Sequence, residues 1–415
     1  MEEENIFFDY ENQPGKIEEK IDMPKGEKPK ISIITSYYNA DKYIEQTYNT
    51  VVSQTFPYWE WIIVDDGSTS EVAKLALEEI AKKDSRIFVY HKENEGLAKG
   101  RDFAIQKATT NYIFPLDADD LIDKTILECS FWALETFPEA VWAYTNIVGF
   151  EGMIYLDARK FDIEKMKTDN QITATALIRR EKIEELGGYS KAARHINEDW
   201  HLWLRMLQKG YFPVHMRFYG FWYRRKEKGS LLKQINNPNN KLRIEAIANE
   251  ASKITQNIEA IELPRTENFK ISKLDYSNFP KLRSNGVLII APHIKTDKHV
   301  LEIAKKEKNV TILTTTACPY IGRKWCEEVA DVFDMTTFLA EENYMDFIKY
   351  IIKTRDIKKV YLCNQEIELD EQIEIIKENY VEDESEYAIY EKKYKQSKTI
   401  LGKIARRIKR RLSLW

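Results

Sequence analysis

The sequence predicts an α/β protein made of two successive sheet-containing parts. Two observations carry this. Short β-branched runs, Ile31-Ser32-Ile33-Ile34-Thr35, Trp61-Ile62-Ile63-Val64 and Ile87-Phe88-Val89-Tyr90, alternate with helical patterns, the signature of a mainly parallel sheet. The same alternation starts afresh downstream, at Val287-Leu288-Ile289-Ile290, Val310-Thr311-Ile312-Leu313 and Val360-Tyr361-Leu362-Cys363.

Taken in order, residues 1–28 are acidic with a turn-rich end at Met23-Pro24-Lys25-Gly26, which predicts a poorly ordered leader. The first α/β domain spans 29–231. Its strands continue through Tyr112-Ile113-Phe114-Pro115-Leu116 and Ala140-Val141-Trp142-Ala143-Tyr144, closing near Tyr223-Arg224-Arg225. Residues 232–265 are polar and helix-prone, broken at Asn236-Asn237-Pro238-Asn239-Asn240, and predict a helical connector. A second, smaller α/β domain follows over 266–383, and a basic tail over 384–415.

Composition bounds the function. With 415 residues, 43% of them hydrophobic and 31% charged, the chain has the make-up of a soluble globular protein. Collagen-like, low-complexity and wholly disordered readings are excluded. No run approaches the roughly 18 apolar residues of a membrane span, and the acidic start is unlike a signal peptide, so a cytoplasmic location is expected. Cys129, Cys318, Cys326 and Cys363 form no CxxC pair and have no histidine at ligand spacing, which predicts reduced packing thiols. Net charge is -4, yet residues 392–415 hold ten Lys/Arg and no Asp or Glu, leaving -14 on the rest. That asymmetry predicts one localised contact with an anionic partner and argues against a nucleic-acid-binding protein as a whole.

In open parallel sheets, ligands bind beyond the carboxyl ends of the strands. Three polar clusters fall there: Thr35-Ser36-Tyr37-Tyr38-Asn39, Asp65-Asp66-Gly67-Ser68 and Asp117-Ala118-Asp119-Asp120. A strand-end carboxylate can accept from a base NH or a ribose hydroxyl, and an Asp-x-Asp pair can reach a hard divalent ion that also holds a diphosphate. Each motif is also good turn or helix-cap chemistry. Their conjunction points to a nucleotide-diphosphate site. Further on, Asn197-Glu198-Asp199-Trp200 opens an amphipathic helix, where Asp199 reads either as a helix-start charge or as a general base.

These blocks, together with Asn94-Glu95-Gly96, Gly100-Arg101, Leu116-Asp117 and Leu186-Gly187-Gly188-Tyr189, resemble in order and spacing the inverting GT-A glycosyltransferases of the large family that includes bacterial polysaccharide and teichoic-acid transferases. The resemblance covers about residues 30 to 230. It implies that Thr35, Tyr37 and Asp66 hold the nucleobase, that Asp117 holds ribose and diphosphate, and that Arg101 and Ala118 belong to the same nucleotide-sugar site. It further implies that Asp119 ligates Mn2+ or Mg2+, that Asp199 deprotonates the acceptor hydroxyl, and that Glu198 positions acceptor or base. Two departures stand out. Lys226-Glu227-Lys228-Gly229-Ser230 replaces the family's His before Gly-Ser, so Lys226 or Lys228 is a candidate substitute, and Asp102 stands where Asn is common.

The second domain resembles the first, Rossmann-like half of a GT-B glycosyltransferase, but its loop Pro292-His293-Ile294-Lys295-Thr296-Asp297 lacks the family's glycines. It is expected to bind, pack or dimerise, with His293 and His299 structural. In the tail, Ile400, Leu401, Ile404, Ile408, Leu412 and Trp415 share one helical face beside the basic residues, which predicts an interfacial anchor on an anionic membrane. The resulting expectation is a metal-dependent inverting glycosyltransferase, peripheral on the inner face of the plasma membrane. It would use a nucleotide-diphosphate sugar donor and a glycan or lipid-linked acceptor, with a second copy or a partner transferase as protein partner. The competing expectation is a non-catalytic scaffold that keeps the GT-A fold.

Overall fold

The structure is a computed structural model that describes residues 14, 19–189, 197–226, 269–291, 294, 298–315 and 320–362. Most of the leader, the connector 232–265, Cys318, Cys363, Lys228, His293, the His299 side chain and the tail with Ile400, Ile404, Ile408, Leu412 and Trp415 lie outside the described residues. Packing divides the chain between Asp275 and Tyr276, with Thr337–Asn343 returning to the first unit. The first unit therefore reaches beyond the 232–265 connector. Its reason is local: Phe269 packs on Phe137 with ring centroids 6.0 Å apart, and Ser272 N donates to Thr136 O at 2.9 Å.

The first unit runs β1 (Ile31–Tyr37), α1 (Asp41–Val52), β2 (Trp59–Asp66), α2 (Glu71–Lys83), β3 (Ile87–Lys92), α3 (Leu97–Lys107), β4 (Tyr112–Pro115), β5 (Leu121–Ile122), α4 (Ile126–Thr136), β6 (Ala140–Glu151), β7 (Tyr155–Asp157), α5 (Ile163–Met166), β8 (Leu177–Arg179), α6 (Arg180–Glu185), α7 (Glu198–Gln208) and β9 (Phe212–Arg225). The sheet order is β3-β2-β1-β4-β8-β6-β9-β5, with β7 on β6. From β3 to β4 every pairing is parallel. Helices return the chain after β1, β2 and β3, so β1 and β2 are covered and read as near-continuous apolar runs, both almost wholly buried.

Beyond β4 the sheet is mixed. β8 runs antiparallel to both β4 and β6, and β5 antiparallel to β9, while β6 and β9 are parallel. The expected mainly parallel sheet is thus confined to one flank. Helix α7 packs on this mixed half through Trp203, stacked on Trp142 of β6 at 5.1 Å between centroids. That contact fixes the start of α7, and with it Glu198 and Asp199, relative to the sheet.

The second unit contains β10 (Gly286–Ala291), α8 (Lys298–Lys306), β11 (Val310–Thr314), α9 (Tyr320–Glu327), β12 (Ala330–Asp334), α10 (Tyr344–Thr354) and β13 (Ile357–Leu362). All four strands are parallel in the order β12-β11-β10-β13. Apolar residues on one face of the sheet, among them Ile289, Ile312 and Val332, pack with Val300 of α8 in its core. Cys129 and Cys326 are buried thiols within their respective units. Among the described residues no helix is long and apolar enough to cross a membrane.

Candidate active site

The carboxyl ends of β1, β2 and β4 lie side by side, and three loops meet there. Asn39, in the left-handed region at φ 48°, ties the first two together: its Oδ1 accepts from Thr69 N and Ser70 N, both at 3.0 Å, and its backbone N donates to Ser68 Oγ at 3.0 Å. Thr47 of α1 holds the third, donating to Ala118 O at 3.0 Å and to Asp120 O at 2.9 Å.

Within this edge the candidate residues take different parts. Thr35 is fully buried; its hydroxyl donates to Leu116 O at 2.7 Å and accepts from Trp61 Nε1 at 2.8 Å, stitching β1 to β2 and to the loop after β4. Tyr37 is equally buried, with its hydroxyl on Ala73 O at 3.0 Å. Their side chains serve the core, so any contact with a nucleobase at these positions would fall to the backbone. Asp66 accepts from Lys92 Nζ at 2.8 Å, Glu95 N at 3.0 Å and Gly96 N at 2.7 Å, clamping the Asn94-Glu95-Gly96 turn that starts α3. Gly96 has φ 93°, a backbone state that costs other residues, so the turn needs both the glycine and the carboxylate.

Arg101, on α3 and 2% exposed, joins the remaining groups. Nη2 donates to Asp117 Oδ1 at 2.7 Å, and Nη1 pairs with Glu198 Oε1 at the start of α7. One guanidinium fork thereby connects the loop after β4 to the helix that carries Asp199. Asp199 is partly exposed and accepts from Asn170 Nδ2 at 3.1 Å. Desolvation, reinforced by the Glu198 carboxylate, pushes its carboxyl up to about 7. A carboxylate so placed can take a proton near neutral pH.

On the far side of the loop, Asp119 pairs through Oδ2 with Lys226 Nζ, and its carboxyl is raised by burial, against the pull of that lysine. Asp120 points inward and accepts from Arg224 N at 2.8 Å. Arg224, which the motif reading treated only as a strand end, is the anchor here. Its Nε donates to Asp119 O at 2.5 Å, Nη2 to Gln46 Oε1 at 2.6 Å, and Nη1 pairs with Glu151. The Tyr-Arg-Arg run at the end of β9 was the available signal for it. Asn170 had none, since it lies in a loop without a motif. Asp102, the departure from Asn, accepts from Tyr189 N at 2.6 Å, and a Cβ at Gly188 would lie 2.4 Å from its Oδ1.

No group of three His, Cys, Asp or Glu side chains suited to a metal occurs among the described residues. The loop offers Asp119, with Asp117 beside it, as hard oxygen donors, 24% and 35% exposed. One or two carboxylates, completed by substrate phosphates and water, is the usual way Mg2+ is held in phosphate-using sites. The donor set fits an ion that arrives with a diphosphate.

The model of the family described as glycosyl transferase family 2 matches residues 32–187. TuaG of Bacillus subtilis, named a teichuronic acid biosynthesis glycosyltransferase, is 34% identical over 195 residues, which are 44% of this chain and 74% of that protein. The chain belongs to glycosyl transferase family 2. EpsE of Bacillus subtilis, named a glycosyltransferase, is 29% identical over 44% of this chain and 68% of that protein. Against the uncharacterized glycosyltransferase RC0461 of Rickettsia conorii identity is 40%, over 26% of this chain and only 17% of that one. Among solved structures, residues 1–349 of Staphylococcus aureus TarS in complex with UDP-GlcNAc are 19% identical, with a TM-score of 0.44 over 55% of this chain and 70% of that one. The mannosyltransferase PcManGT of Pyrobaculum calidifontis, in complex with GDP-Man and Mn2+, is 17% identical with a TM-score of 0.40 over 58% and 77%. The GT-A-type glycosyltransferase family that the motifs resemble is thus the family of this chain.

Proposed function

We propose that this family-2 glycosyltransferase moves a sugar from a nucleotide-diphosphate sugar to a hydroxyl of a cell-surface glycan or lipid-linked acceptor, inverting the anomeric carbon. In a single displacement the acceptor oxygen bonds to that carbon, the bond to the diphosphate breaks, and the acceptor proton passes to Asp199. The observation that supports this best is the Arg101 fork, which ties the donor-side Asp117 to Glu198 and so sets the Asp199 carboxyl at a fixed place beside the strand-end loops. Asp66 and the backbone of Thr35, Tyr37 and Ala118 would border the nucleotide, and Glu198 would position the base. Asp119 would hold Mn2+ or Mg2+, an ion that neutralises charge on a departing diphosphate.

The acceptor class is supported by the name of the relative in teichuronic acid biosynthesis and by the basic, amphipathic tail, which would place the enzyme at the inner face of the plasma membrane. The deciding experiment incubates the purified protein with Mn2+ and a panel of nucleotide sugars, following nucleoside diphosphate release and product anomer. The expected result is release that depends on Mn2+ and is lost in Asp199→Asn. Undiminished release in excess chelator would overturn the metal role. Donor binding without any turnover, across the panel and with glycan acceptors, would instead favour the scaffold.

A further inference from the structure

The carboxylate assigned to the metal already has a cation of the chain's own beside it. Lys226 Nζ pairs with Asp119 Oδ2, and neither side chain is freely solvated, at 26% and 24% exposure. The lysine is delivered there by a short, well-anchored route. Two residues earlier, Arg224 is fixed on the same loop through Asp119 O and the Asp120 carboxylate. Both cations then rest on one ring, the Arg224 guanidinium 4.5 Å and the Lys226 ammonium 4.7 Å from the centroid of Tyr43.

We propose that Lys226 is a built-in competitor for the divalent ion at Asp119, making metal capture conditional on the donor. The inference rests on the reading of Asp119 as the metal ligand. In the free protein an incoming ion must displace an ammonium that already neutralises Oδ2. A diphosphate offers that ammonium an alternative anionic partner, because lysine binds phosphate as a mobile point charge. When the lysine transfers to the phosphates, Asp119 is exposed to the ion. Ion and nucleotide then strengthen each other's binding by the same factor, as linkage requires. An arginine here would keep the charge, and a methionine would keep the length and lose it.

The test is equilibrium dialysis of Mn2+ against the full chain, wild type, Lys226→Met and Lys226→Arg, alone and with UDP or GDP. An opposite charge at this range changes a carboxylate's proton affinity by about tenfold or more, and a similar gain is expected for Mn2+. Lys226→Met should therefore bind Mn2+ alone about tenfold tighter than wild type, while Lys226→Arg should not. Wild type should gain Mn2+ affinity with at least one of the two nucleotides, and Lys226→Met should lose most of that gain. Equal Mn2+ affinity of wild type and Lys226→Met, or no gain with either nucleotide, would overturn the competition while leaving Asp119 a ligand. Asp119→Asn separates the underlying reading. Mn2+ binding unchanged in Asp119→Asn, or absent from wild type and Lys226→Met alike under all conditions, removes Asp119 as the ligand and the inference with it.

Discussion

Asp199 carries two opposed demands at a single carboxyl. Its pKa is raised from 3.8 to about 7, so the folded protein keeps a proton that the unfolded chain has already lost. Stability gained from this group is therefore complete below about pH 4 and is lost as pH rises through about 7, while a general base becomes competent over the upper part of the same interval. Asp199→Asn should keep donor affinity, lose about 100- to 10,000-fold in turnover, and melt above wild type at pH 8, with the gap closing in acid. A helix-start charge without catalytic use predicts intact turnover and a small loss of stability. Turnover, donor affinity and melting temperature on this variant decide. Thr35 supplies the converse case. Removing its hydroxyl orphans Trp61 Nε1 and Leu116 O, each costing about 1 to 3 kcal/mol, so Thr35→Val should lower the melting temperature and leave nucleotide affinity nearly unchanged. A selective loss of nucleotide binding would return Thr35 to the base pocket. The sequence marked Thr35 and Asp199 equally well, since position after a strand and position before a helix are both legible. The inward turn of the Thr35 hydroxyl was not, because it depends on a tryptophan 26 residues away.

Between elements, Arg101 does what no single strand or helix can: it lets α3 hold the β4 loop and the start of α7 together. Glu198 is 7% exposed, so replacing Arg101 with a neutral residue leaves a carboxylate in low dielectric without its partner, a loss of about 3 to 5 kcal/mol. Arg101→Lys keeps the charge but cannot span both carboxylates with a planar fork. It should fold, melt below wild type, and lose turnover by more than it loses donor affinity, measured by steady-state kinetics beside a donor titration. Equal losses in both would make Arg101 a donor ligand and nothing more. The same scale explains which elements were readable. β1, β2 and β10 are apolar runs bounded by turns, a pattern that short-range sequence carries. β5, β7 and β8 are two or three residues long and exist only because a neighbouring strand offers its edge, so they have no period to detect. β12, Ala-Asp-Val-Phe-Asp, is wholly buried, yet its two aspartates hide it from a search for apolar runs.

For the whole molecule, charge is the property that local packing does not explain. The rest of the chain carries -14 against +10 in residues 392–415, and its like charges oppose any broad anionic partner, which makes the tail the proposed point of contact. Each Lys or Arg near an anionic leaflet contributes about 1 kcal/mol. If the proposed tail helix inserts, burial of Ile400, Ile404, Ile408, Leu412 and Trp415 would add a hydrophobic contribution of about 25 cal/mol per Å2 that a polycation lacks. The two contributions part company in salt. A tail held on nucleic acid by counterion release loses about 1,000-fold or more between 50 and 200 mM salt for six phosphate contacts, whereas an inserted apolar face keeps part of its binding. Deleting residues 397–415 should release the enzyme from anionic liposomes and leave transfer to a soluble acceptor intact. Changing Ile404 and Ile408 to Ser should remove the salt-resistant fraction alone, leaving attraction that disappears at moderate salt. Co-sedimentation across a salt series reads both outcomes, and binding that vanishes in wild type at moderate salt, or that ignores the two serines, would reduce the tail to an electrostatic tether with no membrane insertion.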